Sequence, residues 1–244
     1  MFPIGDENLP GRGLAWLTAV LIAVNVAVFL FLQAATGDNP FTYGWSAVPL
    51  EITTGADLTA PQPLVVNGSE LLIPQEPGPD PIFLTLLSSM FMHGGWLHLA
   101  GNMLFLWIFG DNVEHRAGRI LFLVVYLATG VVGSLAQIWS DPNSPIPTLG
   151  ASGAISGVLG AYIVLFPRNR VTVFVFRIVV PVPALVAIGM WIALQLVSGF
   201  ADTAGVGGVA YLAHIGGFGA GVLAGLVLRA LPDRGAGPAI LSLR

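Results

Sequence analysis

The chain has 244 residues, 55% of them hydrophobic and only 9% charged. Soluble domains carry about 25% charged residues, so a soluble fold is excluded. There is no cysteine, which removes disulfides, thiolate chemistry and cysteine-held metals, and the net charge of −4 says little because the charges are sorted by position along the chain.

Six windows lack Asp, Glu, Lys and Arg: residues 13–37, 81–110, 120–140, 142–167, 178–201 and 203–228. Each holds the roughly 20 mostly apolar residues that a membrane-spanning helix needs. The expected fold is therefore an all-α membrane protein with six transmembrane helices. Residues 1–13 are expected as a cytoplasmic N-terminal tail, 14–230 as the membrane domain, and 231–244 as a cytoplasmic C-terminal tail.

In chain order, span one is predicted over residues 14–34; it is too long for a signal-peptide core. A long acidic loop, about 37–80, follows. It is rich in Pro, Gly and Thr and carries Phe41, Tyr43 and Trp45, residue types favoured at a membrane interface. Span two lies within 83–109, and Gly110 to Gly118 read as a short turn in which Glu114 and Arg116 act as a structural staple. Span three covers about 120–139. The next loop contains three prolines, and span four is short, about 152–166. Residues 171–176 are β-branched and read as a connector or helix start. Span five covers about 179–197 with Pro181 and Pro183 near its start, and span six about 209–228.

Assigning loops alternately to two sides places all nine basic residues on one face: Arg12, Arg116, Arg119, Arg168, Arg170, Arg177, Arg229, Arg234 and Arg244. By the positive-inside rule that face is cytoplasmic. Both termini are then inside, and the long acidic loop faces out.

Polar residues at membrane depth are functional candidates by default. Helix rise places Ser152 roughly 21 Å above the cytoplasmic end of span four, His214 roughly 22 Å up span six and His98 roughly 18 Å up span two. Three polar groups at one depth on three helices point to one site. Small residues recur every four positions on span four (Gly153, Gly157, Ala161) and span six (Gly217, Gly221, Gly225). Such faces let helix backbones touch, which brings Ser152 toward His214. Pro145 and Pro147 delay the helix until Ser152, a good N-cap residue, beside unpaired N–H groups and a positive helix end. Ser152 reads as a cap or as a nucleophile with His214 as its general base. No carboxylate lies within a span, so the arrangement is a dyad. His98 and Asn102 share a helix face and serve as helix–helix hydrogen bonds or as donors to an oxyanion with the Ser152 N–H. His93, about 140° round the helix from His98, satisfies the loop before span two. The His93–His98 spacing suits chelation poorly and no His-Glu-x-x-His signature is present, so no metal is expected. Internal repeats and charged pore residues, the marks of a transporter or channel, are absent.

Taken together, Gly150-Ala-Ser152-Gly153, Ala213-His214 with its glycines, His93-Gly-Gly-Trp-Leu-His98-Leu-Ala-Gly-Asn102 and Gly110…Glu114…Gly118 resemble the rhomboid family of intramembrane serine proteases, bacterial six-span type. The resemblance implies a rhomboid-like bundle with a short span four and a long first outer loop lying sideways in the outer leaflet. It implies Ser152 as nucleophile, His214 as base, an oxyanion site of Asn102, His98 and the Gly150–Ser152 loop, and no cofactor. Substrates would be single-span membrane proteins cut in or near the transmembrane segment. A catalytically silent rhomboid-like protein that binds membrane clients is the alternative, and loss of the serine or histidine would mark it; both are present. Some members carry an aromatic residue four positions after the nucleophile, against the imidazole. Here Ser156 stands there and is expected to hydrogen-bond His214 in its place.

Overall fold

The polar N-terminal stretch is structured. In the computed structural model, which describes residues 2–9, 12–66, 68–201 and 209–233, Phe2–Asp6 form strand β1. Helix α1, Trp16–Ala27, runs on as a π-helical turn, Val28–Leu32. No local side chain caps its start. The acceptor comes instead from Glu114, 96 positions away: Oε2 takes the Thr18 N–H at 2.7 Å and the Thr18 hydroxyl at 2.8 Å, and Oε1 takes the Leu17 N–H at 3.0 Å. A carboxylate there satisfies orphan donors and meets the positive end of the helix.

The acidic loop contains two short helices, α2 (Pro40–Trp45) and α3 (Pro49–Thr54), and a hairpin of β2 (Gln62–Val66) and β3 (Ser69–Ile73). Both helices begin on proline, the residue best suited to the first helical position. Asn39 caps α2 by accepting from the Thr42 N–H at 2.9 Å. Gly55, at φ 73°, ends α3 in the left-handed region.

The second apolar window is broken. Ile82–Leu84, helix α4 (Thr85–Ser88) and Ser89–Phe91 form one short helical run, and α5 starts afresh at Trp96 and reaches Ala117. The two parts meet at 78°. Helix α5 passes straight through the stretch expected as a turn, because the polar residues there are all satisfied without leaving the helix. Asn112 accepts from Leu9 N–H at 2.9 Å and donates to Asp6 and the Glu7 carbonyl, both at 2.9 Å. Arg116 donates to the carbonyls of Leu228 (2.8 Å), Leu231 (2.7 Å) and Pro232 (3.2 Å). Gly118 alone makes the turn, at φ 77° and ψ 156°, and α6 follows at once, Arg119–Ser140.

Helix α7 is Ser152–Leu165. The segment after it is neither connector nor helix start. Residues Arg170–Val175 form β4 and Ile178–Pro183 form β5, and β1 pairs with β4 to give an antiparallel sheet ordered β1-β4-β5. Val171 and Val173 are buried beneath it while Phe174 faces outward, the period-two pattern of a half-buried strand. Burial of Asp6, on β1, raises its carboxyl above the ordinary range although Tyr162 and Asn112 both donate to it. Pro181 and Pro183 belong to the edge strand, where a missing N–H costs no ladder bond, and α8 begins only at Ala184 and runs to Ala201. Helix α9 is Tyr211–Ala230. The loop at Asp202 and most of the predicted C-terminal tail, with Arg234 and Arg244, lie outside the described residues.

Among the described residues, α6 and α9 are each long and apolar enough to cross a membrane, and the bent pair Ile82–Phe91 with Trp96–Ala117 is a third such unit. Trp16–Leu32, Ser152–Leu165 and Ala184–Gly199 are shorter apolar helices.

Candidate active site

Helices α7 and α9 lie backbone against backbone. A β-carbon built on Gly217 would collide with the Gly153 carbonyl, one on Gly221 with the Gly157 carbonyl, and one on Gly160 with the Phe218 carbonyl. The small-residue stripes therefore do what their spacing predicts: they remove every side chain that would hold the helices apart. At the top of this seam a β-carbon on Gly153 would sit 3.6 Å from the Ala213 carbonyl oxygen. The chain neighbours of Ser152 and His214 thus lie on the facing sides of this seam.

Ser152 is the first residue of α7, but it is not the cap. Ala151 occupies the capping position, and the start of the helix receives no side-chain hydrogen bond. Among the described residues the Ser152 hydroxyl has no hydrogen-bond partner, and it forms none with His214. The first N–H groups of the helix lack intrahelical partners as well. The loop leading in is held in place: the Gly150 N–H donates to the Ser89 carbonyl at 2.8 Å, and Thr148 pairs with Ala47 through both backbone groups, at 2.8 and 3.0 Å. Two features require glycine at 150. Its φ is +129°, and a β-carbon there would lie 2.8 Å from His98 Nε2 and Cε1 and 3.6 Å from Ser152 Oγ. The His98 ring and the Ser152 hydroxyl thus flank the same α-carbon.

His98 Nδ1 accepts from the Gly94 N–H at 3.3 Å. That bond puts the imidazole proton on Nε2, the atom turned toward Gly150, so His98 presents a donor beside Ser152. One helical turn on, Asn102 is buried and its side-chain amide nitrogen has no partner among the described residues. An unpaired buried donor is costly unless something uses it. His93 is fully buried and its backbone is bound twice by Gln33, at 2.9 and 3.0 Å, which ties span one to the break before α5. Its ring stands edge-on to His98 with centroids 5.1 Å apart. Glu114 and Arg116 cap α1 and α9 and take no part in the site.

Ser156 does not reach the imidazole. Its hydroxyl donates to the Ser152 carbonyl at 2.6 Å, one turn back on its own helix, the ordinary resting place for a mid-helix serine. The partner of His214 comes from α8. His214 Nδ1 lies 2.8 Å from Gln195 Oε1, and the Trp191 ring lies 5.9 Å from the imidazole at 37°. Neither α8 residue was singled out from the sequence. The available signal was slight: a tryptophan and an amide four apart in an otherwise apolar helix. No group of three or more possible metal ligands occurs among the described residues.

A profile of the Rhomboid domain matches residues 82–231, which hold every site residue named above. The chain is 37% identical over 150 residues to Rhomboid protein 1, mitochondrial, of Saccharomyces cerevisiae, covering 58% of this chain and 41% of that one. It is 47% identical over 85 residues to Rhomboid protease GluP of Bacillus subtilis, covering 35% and 16%. Over 241 residues it is 28% identical to RHOMBOID-like protein 6, mitochondrial, of Arabidopsis thaliana, covering 91% and 71%. The matches to the first two span less than half the length of those relatives. The chain belongs to the rhomboid family.

Proposed function

We propose that this chain is an intramembrane serine endopeptidase that cleaves single-span membrane proteins in or near their transmembrane segment. The observation that supports the reading is the close approach of α7 and α9 at Gly153 and Gly217, which packs the helix that begins at Ser152 against the helix that carries His214.

His214 Nε2 takes the Ser152 hydroxyl proton as Oγ attacks the scissile carbonyl. The carbonyl carbon becomes tetrahedral and its oxygen takes the negative charge. His98 Nε2–H, the Asn102 amide and the Ser152 N–H are the donors for that charge, with Gly150 leaving room for the substrate beside them. His214 then gives its proton to the leaving amine as the C–N bond breaks. Water, activated by the same histidine, hydrolyses the acyl-enzyme. The sequence needs no cofactor.

In this reading six apolar segments cross the membrane, with α7 short. The nine arginines mark the cytoplasmic side, which holds both termini of the sequence, and the acidic first loop and the mouth of the site face outward in a cell membrane. The partners are the lipid bilayer and transmembrane substrates, not nucleic acid. The test uses purified protein in liposomes with a generic single-span substrate. Wild type should cleave, and Ser152→Ala and His214→Ala should not. Equal cleavage by all three would remove the proposal.

A further inference from the structure

The site described above lacks the third group that usually fixes a catalytic imidazole. We propose that Gln195 of α8 supplies it, as the positioning residue that holds His214 with its proton on Nδ1 and its Nε2 lone pair toward Ser152. This rests on the protease reading above.

The geometry is direct. Gln195 Oε1 is 2.8 Å from His214 Nδ1. An amide oxygen only accepts, so the bond is satisfied by the tautomer that carries hydrogen on Nδ1, which leaves Nε2 as the free base. Trp191, four residues earlier and hence on the same face of α8, lies against the ring at 5.9 Å. One helix face thus restrains the imidazole at its edge and across its plane.

Among the described residues, no other side chain is seen to perform this task. Ser156 is committed to the Ser152 carbonyl. No carboxylate lies within an apolar window of the sequence. The neutral amide suits that setting, because a carboxylate held away from water on an apolar helix is costly to desolvate. The two site histidines then hold opposite tautomers for opposite jobs. A backbone N–H at Nδ1 makes His98 a donor at Nε2, and an amide oxygen at Nδ1 makes His214 an acceptor there.

The test compares wild type, Gln195→Leu and Gln195→Glu, each as the full chain in liposomes, by two readouts. The first is kcat and KM for a single-span substrate across pH 5 to 9. Gln195→Leu should lower kcat roughly 10- to 100-fold at little change in KM, within what positioned base catalysis contributes. Gln195→Glu restores an acceptor and should recover most of the rate. Its added charge should also move the acid limb of the pH profile to higher pH. The second readout needs no activity. The chain has four histidines, so 15N spectra of histidine-labelled protein, with His214→Ala to assign the signal, report the tautomer directly. Wild type should show His214 protonated on Nδ1, and Gln195→Leu should redistribute it. An unchanged His214 spectrum in Gln195→Leu overturns the proposal, as does a Gln195→Glu enzyme no more active than the leucine variant. Cleavage by Ser152→Ala at the wild-type rate would remove the protease reading and leave the spectral result standing.

Discussion

Two parts of this molecule are joined to the rest by different means. The α7–α9 seam is backbone on backbone, with glycine at each crossing. Helix α8 is held on by side chains: Ala187 and Ile188 are buried near its start, and Trp191 and Gln195 touch His214, while Leu185, Met190, Leu194 and Val197 face outward, each more than half exposed. The first loop is joined by both means, through the side chains of Gln33 and Gln75 and through the backbone bridge of Ala47 with Thr148. A backbone seam has no rotamers to relax, so it sets the distance between the helices that carry Ser152 and His214. A side-chain attachment adjusts, so it sets the orientation of the His214 ring. The division matches the demands of the proposed chemistry, which tolerates little error in separation and works only when the base lone pair faces the nucleophile.

The sharpest way to break the comparison is to widen the seam. Gly221→Leu should abolish activity and destabilise the fold by upwards of about 3 kcal/mol, since the new side chain meets a backbone carbonyl that cannot retreat. Gly219→Leu, two residues away with nothing within 4 Å of a β-carbon, should leave thermal stability and cleavage unchanged. Equal damage from both would show that the stripe is not the organising contact.

Asn102→Ala comes next. It removes a donor and no seam contact, so the cleavage rate should fall ~10²–10³-fold while the unfolding midpoint moves by only a few degrees. An unchanged rate would leave Asn102 as packing. Glu114→Gln probes attachment by side chain away from the site. The carboxylate accepts three hydrogen bonds from Leu17 and Thr18, and an amide must turn a donor toward one of them. Equilibrium unfolding should show a loss of about 1–3 kcal/mol, with the residual folded protein still cleaving.

The smallest effect is expected in the first loop. Burial pushes the Glu51 carboxyl on α3 from 4.5 up to about 7, against the opposing bond from the Leu58 N–H. The folded loop therefore binds this proton more tightly than the unfolded chain does. Its contribution to stability is fully present below about pH 4.5 and is lost as pH rises toward 7. Amide exchange across α3, corrected for intrinsic rates, should be faster at pH 8 than at pH 5.5, and Glu51→Gln should flatten that difference.

Much of the site was readable from residue types and spacing. Ser152, His98, Asn102 and the glycine stripes were visible because polar or small residues stand out in apolar helices, and the start of α7 was visible because proline forbids an earlier one. Three features were not. The β1-β4-β5 sheet depends on pairing Phe2 with Phe174, across most of the chain, and no local pattern encodes that. The run of α5 to Ala117 was hidden because its polar residues look like a turn until their distant partners are known. Gln195 was hidden for the same reason: an amide on an apolar helix has no meaning until the fold shows what it faces. In each case local propensity was legible and long-range hydrogen bonding was not.

Arg116 carries a consequence for biogenesis. Its guanidinium closes the end of α9 through carbonyls 112 and 115 residues further along the chain. During synthesis the arginine waits, at the end of an early helix, for acceptors that emerge only when the last helix is complete. A nascent chain halted before Leu228 would hold the serine without the latch that secures the helix of its histidine.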